Sequence, residues 1–135
     1  MQHSSVAGPG IQHDHSGWRP EDHLIAVLRR NATERPREVA MRERDHGIWH
    51  EVTWADYLGR VLELAAGLET AGVGPGDVVL VVGDNRPQLY FAMLAAVCLK
   101  DIPSPAYPDA PQSEILGQIQ REDIRFVFAE DQEQV

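Results

Sequence analysis

Two short stretches carry the residues best placed for chemistry. The first is VVLVVGDNRPQ, Val78 to Gln88, an apolar run that turns at Gly83 into a helix start. In parallel α/β sheets, ligands gather outside the carboxyl ends of strands, which is where Gly83, Asp84 and Asn85 fall. The second is the corner DAPQ, Asp109 to Gln112. NRPQ puts Asn85 at an N-cap, Pro87 in the first turn and Gln88 at N3; DAPQ puts Asp109, Pro111 and Gln112 in the same places. A phosphate site wants glycines for close backbone approach, with a Lys or a Ser/Thr hydroxyl for the anion and its metal. Neither corner has them. Asp84 and Asp109 add carboxylates near helix N-termini, where a phosphate would compete with them. Plain capping is the stronger reading of both turns.

Other candidate constellations are weaker. His3, His13 and His15, with Asp14, lie in a Gly/Pro-punctuated stretch without periodicity. Metal binding needs fixed geometry and supporting shells, so a flexible tail over residues 1–17 is expected instead. Gly72, Gly74 and Gly76 imitate the spacing of a dinucleotide loop. They leave a helix and enter a strand, the reverse of the order that aims a helix N-terminus at a pyrophosphate. Gly-x-Ser-x-Gly, His-Glu-x-x-His and Cys-x-x-Cys do not occur. His46 and His50 flank a hairpin, and Glu122 and Asp123 adjoin in sequence and so do not face each other on a helix. No catalytic, cofactor-binding or metal-binding residue is assigned.

Around these corners the pattern is regular. Leu24, Ile25, Val27, Leu28 and Ala32 mark a helix from about Glu21 that Pro36 ends. Val39–Arg44 and Ile48–Val52 flank DHG, a hairpin turn with Gly47 free to take positive φ; Trp49, on a hairpin strand, is expected to pack onto the body. Thr53 and Asp56 form a capping box. Trp54, Tyr57, Leu58, Val61, Leu62, Ala65 and Leu68 then make one apolar stripe, closed by Gly72 and Pro75. Strands follow at Val78–Val82, Ile102–Ala106 and Arg125–Ala129, with helices at Arg86–Leu99 and Ala110–Glu122. The class is α/β: an N-terminal helix and β-hairpin, then a βαβαβ parallel-sheet unit with right-handed crossovers.

Composition sets outer limits. The chain has 135 residues, 43% hydrophobic and 24% charged, enough for one domain with a core. The net charge is −9 and the basic residues are scattered, which excludes a nucleic-acid partner. Cys98, the single cysteine, lies in an apolar helical run, reads as a core residue and fits a cytoplasmic setting. The longest apolar run, Leu89–Leu99, falls short of the roughly 18 to 20 residues a membrane span needs, and no targeting signal is read at the N-terminus.

The ordered series GIWHEVTWADYLGRVLELAAGLETAGVGPGDVVLVVGDNRPQLYFAMLAAVCLKDIPSPAY resembles the N-terminal region of the adenylate-forming (AMP-binding) enzymes. VTWADY, GVGPGD, GDNRP and FVFAEDQEQV are most similar to the bacterial long-chain fatty acid CoA ligases. The resemblance runs from Asp22 to Val135. It implies that residues 18–135 are part of the N-terminal domain of an enzyme that joins fatty acid to coenzyme A with Mg-ATP, releasing AMP and pyrophosphate. It also implies a cytoplasmic enzyme, peripheral at the membrane in its full-length form. The family's phosphate loop and its C-terminal lysine lie further along the chain. Lys100, the only lysine here, matches neither, and the pair Lys100-Asp101 stands where the family usually carries a glycine. The expectation is therefore a fragment inactive by itself, binding neither ATP, Mg nor coenzyme A, and prone to self-association through an unfinished sheet. An enzyme for another carboxylic acid and a non-catalytic interaction module remain alternatives.

Overall fold

A computed structural model describes residues 23–130. The tail read over residues 1–17, its three histidines, the helix start at Glu21 and the last five residues of FVFAEDQEQV lie outside them. Helix α1 spans Leu24–Glu34, with His23 as N-cap. Strands β1 (Val39–Asp45) and β2 (Ile48–Thr53) pair antiparallel. His46 and Gly47 both have positive φ, 47° and 82°, the signature of a two-residue turn whose twist matches its strands. Contrary to expectation, Trp49 does not pack onto the body: it is 62% exposed, because the hairpin projects and only the foot of β2, Val52 and Thr53, is partly covered.

Helix α2 spans Trp54–Thr70 and opens with the expected capping box. The Asp56 N–H donates to Thr53 Oγ1 at 3.2 Å, and the Thr53 N–H donates back to Asp56 Oδ2 at 3.2 Å. Its inner face differs from the stripe at one place. Leu62 is 51% exposed, and Leu64 packs inward instead, beside Val61.

The second half is the expected three-stranded parallel sheet: β3 (Val78–Val82), β4 (Ile102–Ala106) and β5 (Phe126–Ala129), linked by α3 (Pro87–Cys98) and α4 (Gln112–Arg121). Strand order is β4-β3-β5. The first crossover runs outward from β3 to β4 and the second runs back from β4 past β3 to β5, so crossovers of one hand put their helices on opposite faces. The core confirms it. Val79 and Val81 meet Ala92 and Ala96 of α3, whereas Leu80 and Val82 meet Ile115 and Ile119 of α4. Helix α3 is apolar all round because its other side is also covered, with Phe91 packed against Leu28 of α1 and Val61 of α2. Tyr57 lies 5.4 Å from Phe91, ring centre to ring centre; burial pushes its phenol up to about 12. Cys98 is half-buried in this cluster, and its thiol is pushed up by burial.

The two outer edges of the sheet are unlike. The Ile102 N–H donates to the Asp77 carbonyl, so by strand alternation Pro103 and Pro105 turn their backbone outward, where a missing N–H discourages a further strand. On the other side the Glu130 N–H donates to Val82, which turns Val127 and Ala129 outward. That edge has no proline, and Val127 is 52% exposed.

Candidate functional site

The strand order makes the crevice between the carboxyl ends of β3 and β5 the topological switch point, where a doubly wound sheet receives ligands. The chain fills it with its own carboxylate. Glu130 follows β5, and its Oε2 accepts the Asp84 N–H at 2.6 Å. Gly83 makes room for it: a Cβ there would stand 2.8 Å from Glu130 Oε2 and 3.1 Å from Glu130 Cβ. Arg86 Nε lies 3.6 Å from Glu130 and 3.7 Å from Glu43 on the hairpin, so one guanidinium joins sheet, corner and hairpin.

Asn85 is not the N-cap of α3. Arg86 is, with φ −121° and ψ 164°, and it makes no side-chain cap bond. A residue before proline is pushed to extended backbone, and Pro87, lacking an N–H, suits the first helical position. The Asn85 carboxamide oxygen instead accepts from the Tyr90 hydroxyl at 2.5 Å. Likewise Pro111, not Asp109, precedes α4, again without a side-chain cap. Gln88 and Gln112 therefore fall at N2 and N1, not N3.

Beside the plugged crevice runs an open groove of about 730 Å³ between the two corners, lined by Asp84, Asn85, Leu89, Tyr107 and Asp109. A triphosphate does not fit these residues. The Asp84 N–H is taken, Arg86 already faces two carboxylates, and Asp84 and Asp109 add negative charge. Lys100 cannot help, since it joins α3 to β4 at the opposite, amino end of the strands. A second groove, between the hairpin and α2, is lined by Glu43, Asp45, Glu51, Asp56 and Glu63 against Arg60, and it also disfavours anions. Among the described residues no group of three His, Cys, Asp or Glu is arranged to hold a metal, and no helix is long and apolar enough to cross a membrane.

At the amino end, Asp77 accepts the Gly74 N–H at 3.0 Å and pairs with Arg125 at 2.6 Å, and those two contacts hold its carboxyl below the usual range. Asp101 is 6% exposed with neither oxygen bonded; burial, then the Asp77 charge, pushes it up. Glu130, Arg86 and Asp101 escaped the sequence reading. A glycine ending a strand beside an arginine was the available signal for the first two. Nothing in the sequence marks Asp101 as buried.

The chain is 23% identical over 130 residues to the long-chain-fatty-acid–CoA ligase FadD15 of Mycobacterium tuberculosis, covering 96% of this chain and 21% of that protein. It thus spans about a fifth of the curated relatives it matches. The fold is similar to the NpsA N-terminal subdomain of Klebsiella oxytoca, solved with 3-hydroxyanthranilyl-AMSN (TM-score 0.71, 21% identity, 81% of this chain and 27% of that one). It is also similar to the fatty acid AMP ligase of Legionella pneumophila (TM-score 0.74, 22% identity, 78% of this chain and 19% of that one). The family model described as AMP-binding enzyme matches residues 28–135, and the chain belongs to that family.

Proposed function

We propose that this chain is the N-terminal part of a long-chain fatty acid CoA ligase, which converts ATP, a fatty acid and coenzyme A to acyl-CoA, AMP and pyrophosphate. The observation that carries the reading is the similarity to FadD15, which extends along 96% of the chain. In this proposal residues 23–130 supply scaffold. The crevice where a doubly wound sheet would take a ligand is closed by Glu130, so the groups that bind ATP, Mg and coenzyme A belong to later parts of the protein, and the 135-residue chain alone is inactive. A cytoplasmic location accompanies the reading, as does association of the isolated chain through the open β5 edge.

Acid-dependent ATP–pyrophosphate exchange tests it. The longer gene product exchanges pyrophosphate with long-chain acids and this chain does not. Exchange with aryl or amino acids alone would refute the fatty-acid assignment. A second reading, activation of another carboxylic acid, is favoured by the fold shared with NpsA.

A further inference from the structure

Three helices end in the same way. At the close of α2, α3 and α4 one residue takes positive φ: Gly72 at 94°, Lys100 at 63° and Asp123 at 50°. The next residue then returns its N–H to a carbonyl five residues back: Val73 to Leu68 at 3.1 Å, Asp101 to Ala96 at 3.0 Å, Ile124 to Ile119 at 3.0 Å. This closure turns the returning side chain inward against the helix it ends, a place that favours apolar residues. Val73 and Ile124 comply, 4% and 7% exposed. Asp101 occupies the equivalent position at 6% exposure, and both of its oxygens are buried without a hydrogen bond.

Among the described residues no cation pairs with that carboxyl. Asp77, at the start of β3, is the carboxylate that bears on it. Arg125, from the start of β5, gives its Nη2 to Asp77. Lys100 is exposed, and its carbonyl accepts the Gly76 N–H at 3.0 Å. An ionised Asp101 would therefore sit desolvated and unpaired beside a like charge, the arrangement proteins avoid by keeping the proton.

We propose that Asp101 folds as the neutral carboxylic acid, so that closure of the α3–β4 junction takes up one proton. Ionisation would drive the side chain out of the Ala96 to Ile102 closure and loosen the Ile102 N–H bond to Asp77 that starts β4. The device lies at the amino end of the sheet, away from the corners, and is independent of the acid the enzyme activates.

The sign follows from linkage. The folded state holds a proton that the unfolded state has released, so stability falls as pH rises above the free-aspartate value of about 3.9 and through the raised folded value. Urea unfolding of the 135-residue chain, run from pH 4 to 8 beside Asp101→Asn, reads the effect. With one linked proton, the folded-to-unfolded ratio of the wild type relative to the variant falls up to about tenfold per pH unit in that window. Parallel curves would overturn the proposal. If Asp101→Asn fails to fold, carboxyl carbon NMR of the wild type decides directly. A titration midpoint above that of free aspartate supports the proposal, and one at or below it refutes it.

Discussion

Replacing Lys100 with glycine is expected to stabilise the protein. Lys100 holds φ at 63° as the residue that turns the chain out of α3, and none of the ion pairs found among the described residues uses its ammonium. An L-residue in the left-handed region costs about 1–2 kcal/mol. Glycine removes that cost but loses more backbone freedom on folding, about 0.5–1 kcal/mol. The net gain is about 0.5–1 kcal/mol, or roughly 2–6 °C in Tm for a domain near this size. Circular dichroism melts and urea titrations at fixed pH measure it, with an unchanged m-value required. The reciprocal variant serves as internal control. Gly72→Lys, in the equivalent place at φ 94° with nothing within 4 Å of an added Cβ, should cost about 1 kcal/mol or more from backbone strain alone. A loss on Gly72→Lys with no gain on Lys100→Gly would refute backbone strain as the determinant at α3.

Further outcomes follow from other contacts. Thr53→Ala should cost about 1 kcal/mol at neutral pH by removing half of the capping box. The hydroxyl and N–H of Thr53 depress the Asp56 carboxyl, so wild-type stability should fall as pH drops through that lowered value, and Thr53→Ala should flatten the acid limb of a urea series. Gly83→Ala should expel Glu130 from the switch-point crevice, read as faster hydrogen exchange at the Asp84 amide; unchanged protection would refute the packing described there. Val127→Lys, which charges the open edge of β5, should raise the fraction of monomer in sedimentation velocity. Wild type and variant sedimenting alike would rule that edge out as an association surface.

Most of the fold was legible because its signals are local. The strand boundaries of β3 and β4, the DHG turn and the Thr53–Asp56 box depend on patterns within a few residues. The misses came from tertiary context. Leu62 fits a helical stripe on paper, yet Leu64 faces Val61 and Phe91 because α1 and α3 cover that side of α2. Trp49 reads as a packing residue by type, but it lies toward the tip of β2, where only the foot of the strand is covered, and it stays exposed. Asn85 reads as a cap until Pro87 moves the helix start one residue on. The contacts that occupy the candidate site, Glu130 to Asp84 and Arg86 to Glu43, span dozens of residues. Distances of that kind have no periodic trace in a sequence.

Acid-dependent pyrophosphate exchange tests the proposed assignment of this scaffold to a ligase whose reactive groups lie elsewhere in the protein. The assay is run in parallel on the 135-residue chain and on the longest product of its gene. Exchange with long-chain fatty acids is expected from the longer product and none from the 135-residue chain. Exchange catalysed by the 135-residue chain itself, or none from the longer product with any carboxylic acid, would contradict that assignment.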